Sequence, residues 1–460
     1  MKRQLLFASS IIISAAAMAQ TFSGGSGTES DPWLISNVND LKELSKMTDT
    51  PGEGNTQQTY GKYFKLTQDI TEPFNQMIGF EGYFKGYFDG AGHCITLNIN
   101  MPDDDCVGLF GTVKTGAVHD LAVKGSVTGR RYVGAVVANP TNEAQLYNLV
   151  NYANVSSSYT SMAYIGGVIG GVVSQTEKVD EGSEKTLDGA TIRNCANYGT
   201  VSCNGSAIGG VIGYSGQAVG NTVNDIANYG YVENNGGMRV GGAIGNPLWN
   251  DKIHRIANFG TSSNEKISGS IGNSNPTDLG EIFYDRQYSH TTNEIPAQEK
   301  NTSEMTGTQM EELLGSNWVY ADGLLPRPDM NGMENSDIAV LYATPILLAE
   351  GDYLQNVTKD FSVSFGNPAY GNVSWTTKNG IVEIQGDGKA VIKGYGEETL
   401  TAKLNGETRS INITVNDPTG ISSITTRNSA DVKWYNLNGQ AVSTPVHGIF
   451  IVNGKKVILK

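Results

Sequence analysis

Charged residues are few in this chain, at 17% of 460, and the balance is acidic, with Lys+Arg 32 against Asp+Glu 46 and a net charge of −14. A chain so short of cations has no stripe to neutralise phosphates, which excludes nucleic-acid binding led by the phosphate backbone. There are four cysteines, Cys94, Cys106, Cys195 and Cys203. That is too few for a disulfide framework, and no Cys-x-x-Cys pair marks a zinc site. Five histidines occur, His93, His119, His254, His290 and His447, none three or four residues from another. Helical metal pairs and zincin motifs are therefore absent, as are a P-loop and a Gly-x-Ser-x-Gly elbow. No cofactor or metal is expected. The run Leu5 to Ile13 is too short to cross a bilayer, and no other segment is long or apolar enough to do so, so a membrane-spanning protein is not expected.

Export, by contrast, is signalled. Lys2 and Arg3 precede the apolar run, and Ala17-Met18-Ala19 is a small-x-small cleavage site, so residues 1–19 read as a signal peptide. Its removal takes away two cations and moves the charge from −14 to −16. The expected location is the cell surface or the extracellular space, with the periplasm as the fallback.

Glycine is abundant, 57 of 460 residues, well above the usual ~7%. It has no Gly-X-Y period, and the hydrophobic share of 38% is too large for a disordered chain. The glycines belong to a repeat. Five segments place one apolar residue three positions before another: Val118/Leu121, Leu146/Leu149, Ile192/Cys195, Val223/Ile226 and Ile253/Ile256. Four continue into an Asn-aromatic pair: Asn151-Tyr152, Asn197-Tyr198, Asn228-Tyr229 and Asn258-Phe259. Each copy ends in a Gly-rich apolar stretch such as Ile165-Gly166-Gly167-Val168-Ile169-Gly170. The ends of these stretches, from Gly111 to Gly272, are 27, 32, 43, 32 and 27 residues apart. Fixed strand motifs with variable spacing mean stacked turns with loops of different length, because one turn cannot bury its apolar side alone. A turn of ~27 residues fits three short strands of a parallel β-helix. Asparagine and aromatic side chains at equal positions then stack into ladders, and Cys195 falls at a core position.

Asn37 is the expected N-cap of an amphipathic helix carrying Val38, Leu41, Leu44 and Met47. Such a helix would cap the open end of the solenoid, which is otherwise an exposed sheet edge.

The stretches Gly24 to Ile35, Phe88 to His93, Gly108 to Gly111 and the Gly-Gly-x-Ile-Gly strands resemble the GLUG-type repeat. That repeat occurs in bacterial surface proteins, including adhesins, immunoglobulin A proteases of Gram-positive cocci and many Bacteroidetes proteins. The resemblance implies a right-handed parallel β-helix over residues 20–326. The metallopeptidase of the protease relatives needs a His-Glu-x-x-His helix, which is absent, so that activity does not carry over. Residues 327–340 read as a linker, with Pro326, Pro328 and Gly332. Residues 341–416, with regular strands around Trp375, resemble a bacterial immunoglobulin-like (BIG) domain. Residues 417–460 are similar to the type IX secretion sorting tail of Bacteroidetes proteins. The fold class expected is all-β: a capped β-helix, an immunoglobulin-like sandwich and a small β module.

Two features are candidate binding sites. One is the ladder Tyr152, Tyr198, Tyr229 and Phe259. The other is the acidic insertion in the 43-residue step, with Glu177, Asp180, Glu181 and Glu184. Asp120 and Asp225 share one repeat position, but Asn148, Asn194 and Arg255 hold it elsewhere, so they read as surface ladder residues and not as a catalytic pair. The expected function is a non-catalytic, adhesin-like surface protein whose partner is a glycan or another surface protein. The alternatives are a carbohydrate-active enzyme, either a polysaccharide lyase or a glycoside hydrolase, and a purely structural surface component.

Overall fold

The structure is a computed structural model that describes residues 22–50, 57–173, 177–180, 183–185, 188–216, 220–273, 275–292, 296–418, 433–452 and 455–459. The expected signal segment 1–19 lies outside these residues. So do Glu181 and the side chains of Glu177, Asp180 and Glu184.

The protein is all-β, 45% strand and 8% helix, and its main body is a β-solenoid of about eight turns. The repeat strands Ala117–Thr128, Gln145–Asn151, Thr191–Asn197, Thr222–Asn228, Lys252–Asn258 and Asp278–Asp285 stack parallel and in register. Successive turns advance by 28, 46, 31 and 30 residues along the Asp120–Asn148–Asn194 and Asn197–Asn228–Asn258 contacts. The longest step holds the insertion, where Glu177–Asp180 and Ser183–Lys185 pair as an antiparallel hairpin.

The turns that begin at Gln145, Thr191 and Thr222 each hold four strand segments, where the length of the repeat suggested three. One turn runs Gln145–Asn151, Asn154–Ser157, Met162–Gly166 and Ile169–Val172. The Gly-rich motif is the reason for the difference. Its Gly-Gly bend splits what reads as one strand, so Ile165-Gly166 ends one segment and Ile169-Gly170 begins the next. The two halves join different sheets, of four and five strands.

The three-residue apolar spacing also has a backbone cause. A flat strand points residues i and i+3 to opposite faces. Here both point inward, and Val118, Leu121, Ile192, Cys195, Val223 and Ile226 are fully buried. The residue before the second apolar position takes positive φ in every copy: Asp120 51°, Asn148 53°, Asn194 51°, Asp225 57°, Arg255 55° and Glu281 55°. These residues also drop out of the strand register, as in a β-bulge. Asp and Asn enter the left-handed region more readily than other non-glycine residues, which accounts for their recurrence there.

The next corner is set by a buried asparagine ladder. Asn151 Nδ2 donates to Asn197 Oδ1 at 2.8 Å, Asn197 to Asn228 at 2.8 Å and Asn228 to Asn258 at 2.9 Å. Each Oδ1 also accepts the backbone N–H two residues on, from Ala153, Gly199, Gly230 and Gly260. The Asn-aromatic-Gly motif therefore satisfies a sharp corner without water. Gly199 is required for room and not for its φ, since a Cβ there would lie 1.9 Å from the Ala153 carbonyl oxygen.

Helix α1 (Val38–Asp49) is N-capped by Asn37, whose Oδ1 accepts from the backbone of Asn39 and Asp40. Leu41 and Leu44 are buried. Ser45 and Thr48 bind the backbone of Met77 and Gly79.

Contacts divide the chain into two compact units. One is Met1–Pro345 with Phe365–Val373 and Leu404–Glu407, and the other holds the remaining residues from Ile346 to Lys460. The expected linker 327–340 belongs to the first unit and is not a free spacer. Arg327 is fully buried, Met333–Asn335 and Asp337–Ala343 are helical, and Ala339, Val340 and Leu341 are buried. Pro and Gly mark turns in this segment, but its apolar side chains pack it onto the solenoid. The second unit contains antiparallel sheets of four and three strands, with Trp375 buried and its Nε1 donating to the Ser364 carbonyl at 2.5 Å. It also contains a separate four-stranded antiparallel sheet within Trp434–Leu459.

Candidate functional site

The large sheet turns two outward columns of side chains away from the core. The first runs Tyr63, Tyr87, Ala117, Gln145, Thr191, Thr222, Lys252 and Asp278. The second runs Lys65, Asp89, His119, Tyr147, Arg193, Asn224, His254 and Gly280. From Lys65 to His254 the second column is seven turns long, roughly 29 Å at about 4.8 Å per turn.

Its side chains contact one another. Lys65 Nζ lies 2.9 Å from Asp89 Oδ2, and Asp89 Oδ1 lies 3.8 Å from His119 Nδ1. The His119 and Tyr147 rings stack at 4.6 Å with planes 4° apart, and the Arg193 guanidinium sits 4.3 Å from the Tyr147 ring centre. At the far end His254 bridges Asp278 at 2.9 Å and Glu281 at 3.2 Å. Gly280 leaves room for that imidazole, since a Cβ there would stand 2.7 Å from His254 Nδ1.

Asp89, His119 and Asp120 place one ligand atom each within 4.8 Å of one another, a spacing open to a metal. Their lone pairs are engaged by protein donors instead. Asp89 receives Lys65 and the Ala91 N–H, and Asp120 Oδ1 receives Asn148 at 2.7 Å and Asn331 at 2.8 Å. Burial works to raise the pKa of Asp120, but bonds from His119, Asn148 and Asn331 outweigh it and hold the carboxyl at about 2. The cluster is a hydrogen-bonded polar clamp whose protein donors compete with a cation for the same oxygens.

Among the described residues, the carboxyls pushed upward are Asp251 and Asp285, both by burial, with Asp285 at about 7. Both are sealed inside: Asp285 accepts from Thr302 and the N–H groups of Gln287 and Tyr288, and Asp251 from Asn221 and Leu248. Neither is placed to protonate a substrate.

Tyr152, Tyr198, Tyr229 and Phe259 do stack, at 5.2, 4.7 and 5.1 Å between successive rings. Their outer side is covered by the chain itself. Tyr152 Oη contacts Ser336 Oγ at 2.6 Å, Tyr229 Oη donates to the Pro326 carbonyl, and Tyr342 packs edge-on against Tyr198 at 5.5 Å. Tyr198, Tyr229 and Phe259 are buried. The expected platform is thus an internal seam, because residues 326–342 return across it. The stretch from Asn317 to Asn331, which leads into this segment, is pinned on the positive-φ column. Asp225 accepts from Arg255, Asn317 and Trp318, and Asn194 donates to the Asp329 carbonyl. Of the insertion, Glu177, Asp180 and Glu184 are placed by backbone pairing alone, and Glu181 is outside the described residues.

Sequence reasoning missed the outward column. Its signal was present, since the residue after the first apolar position is never apolar: His119, Tyr147, Arg193, Asn224, His254. A further stack, Tyr132–Tyr164–Tyr214 at 4.7 and 4.6 Å, lies on other sheets and was also missed.

No protein-family model matches the chain. It is 31% identical to Halomucin of Haloquadratum walsbyi over 161 residues, 32% of this chain and 2% of that protein. It is 31% identical over 138 residues to a "Putative Gly-rich membrane protein" of Evansella cellulosilytica, 27% of this chain and 15% of that protein. The chain therefore spans a small part of the curated relatives it matches. A solved structure described as a "putative immunoglobulin A1 protease" from Bacteroides ovatus is similar with a TM-score of 0.45 and 18% identity, over 68% of this chain and 96% of that one.

Proposed function

We propose that this is an exported, non-catalytic surface protein that binds a glycan or another surface protein along the outward columns of its β-helix. One observation carries the reading: seven turns, Lys65 to His254, present an unbroken polar and aromatic row in register. A repeating surface of this kind suits a linear or repeating partner. The sealed positions of Asp251 and Asp285 weigh against an acid–base enzyme. In this reading residues 1–19 direct export to the cell surface, and α1 caps a right-handed GLUG-type helix. Residues 341–416 serve as an immunoglobulin-like spacer and 417–460 as a sorting tail. No helix of the described residues is long and apolar enough to cross a membrane.

The test is a glycan array combined with product analysis on a polysaccharide panel. Retention without release of reducing ends or unsaturated products is expected. Turnover of any polysaccharide overturns the reading, and so does an array and surface-protein pull-down with no ligand at all, the outcome a purely structural component predicts.

A further inference from the structure

The amino-terminal corner of the outward face differs from the rest of this acidic chain. Three successive turns meet there, held by backbone bonds from Tyr87 N to the Lys62 carbonyl and from Lys114 N to the Phe84 carbonyl, and by a bond from Lys85 N to the side-chain oxygen Thr59 Oγ1. Each turn contributes a lysine that lies over a ring of an earlier turn. Lys62 Nζ is 5.6 Å from the Trp33 ring, Lys85 is 4.8 Å from Tyr60 and Lys114 is 5.6 Å from Tyr83. Among the described residues, neither Lys62 nor Lys85 is in an ion pair. Beside them Tyr63 and Tyr87 stack at 4.5 Å with planes 15° apart, at the head of the first outward column. Tyr60 is 66% exposed and Tyr87 38%. Among the described residues, Glu29 acts on the Tyr63 side and Asp89 is tied to Lys65.

We infer that this corner, residues 59–63, 83–87 and 112–117, is a binding site for an anionic polysaccharide. Sugar rings lie on the Tyr63–Tyr87 pair, and carboxylate or sulfate groups meet the ammonium groups of Lys62 and Lys85. This rests on the surface-binding reading above and names its ligand class. Lysines held over rings lose little further freedom on binding, and a ring face suits the C–H side of a pyranose. A net charge of −14 works against retention of a polyanion by the chain at large, so retention calls for a local group of cations. Nucleic acid is the less favoured polyanion, because the corner offers few cations to a dense phosphate backbone.

The test is affinity electrophoresis of the full chain in gels containing polygalacturonate, dextran sulfate, neutral dextran or single-stranded DNA. Retardation by polygalacturonate or dextran sulfate, with none by neutral dextran, is expected, and the stronger of the two tells carboxylate from sulfate. Lys62→Gln/Lys85→Gln should weaken retention at least tenfold and Tyr87→Ala at least fivefold, whereas Tyr87→Phe should stay within twofold. Raising NaCl from about 50 to 300 mM should weaken the native protein at least tenfold. Unchanged thermal melting of each variant separates lost binding from lost folding, and the salt series tests the site without any variant. Four results overturn the inference: native-like binding by the double lysine variant, equal retention by neutral dextran, tighter binding of DNA, or no retention by any polyanion. In each case binding of another ligand on the array leaves the broader surface-binding reading standing. Release of reducing ends sinks that broader reading while leaving the corner in place.

Discussion

Asn197 Nδ2 donates to Asn228 Oδ1 at 2.8 Å, one full turn along the solenoid, while Asn197 Oδ1 accepts from Gly199 N at 3.2 Å and from Asn151 Nδ2 at 2.8 Å. Both residues are fully buried, so no water substitutes for either partner. Removing one amide leaves orphaned groups on the turns above and below. Asn197→Ala should destabilise the solenoid by about 2–4 kcal/mol, since each buried unpaired group costs about 1–3 kcal/mol. Urea unfolding measures this, and a loss below ~0.5 kcal/mol would remove the ladder as a stabilising element.

The tyrosine seam gives a sharper contrast. Tyr229 Oη donates to the Pro326 carbonyl, whereas Tyr198 Oη is buried with no hydrogen-bond partner among the described residues. Tyr229→Phe should cost about 1 kcal/mol, and Tyr198→Phe should be neutral or stabilising, because it removes a polar atom that is already unpaired. Paired denaturation curves settle it, and the reverse order would contradict the seam.

Asp225 holds the returning segment. It is buried and takes two bonds from Arg255 as well as bonds from Trp318 Nε1 at 2.9 Å and Asn317 Nδ2 at 3.2 Å. Asp225→Ala removes the carboxylate partner of Arg255, leaves the buried Trp318 Nε1–H unpaired and should cost about 1–3 kcal/mol. It should also expose residues 315–342 to limited proteolysis. Protease resistance equal to that of the native chain would show that Asp225 does not hold the segment.

Stability should depend on pH in two opposite windows. Burial raises Asp285 to about 7, so the native state keeps a proton that the unfolded chain has released. Its contribution is therefore greatest below the unfolded value near 3.8 and is lost as pH rises to about 7. Asp285→Asn should flatten that fall and melt higher than the native chain at pH 8. Asp120, held at about 2, acts the other way. Its contribution is present above pH ~4 and is lost on acidification toward 2. Thermal melts across pH 2–8 check both, and an Asp285→Asn variant with the native slope would refute the assignment.

Glycines of the repeat should divide by room and not by φ. A Cβ at Gly199 would lie 1.9 Å from the Ala153 carbonyl oxygen, whereas at Gly236 nothing stands within 4 Å. Gly199→Ala should cost more than about 2 kcal/mol and Gly236→Ala less than about 0.5 kcal/mol. Equal effects would mean that adjacent turns are not packed as closely as the structure has them.

The solenoid was legible because its rules are local and repeated. The Val118/Leu121 spacing, the Asn-aromatic pair and the Gly-Gly strands each recur, so one column explains another. Helix α1 was legible through Asn37 and its apolar stripe. The count of four strands per turn was not, because a Gly-Gly bend and a continuous Gly-rich strand look alike in one dimension. The outward column was visible as a polar position but was passed over, since His, Tyr, Arg and Asn share no single chemistry.

The amino-acid order alone determined which side chains face inward, because turn-to-turn stacking places like residues on like and a buried mismatch is costly. Only the tertiary structure decided which ladder stays open and which is covered. Ser336 reaches Tyr152 across 184 residues and Pro326 reaches Tyr229 across 97, and no local pattern announces contacts so distant. The stack of rings that reads as a surface is closed by the chain's own return. The lysine corner is assembled from three turns whose lysines, Lys62, Lys85 and Lys114, are ordinary loop residues when read singly.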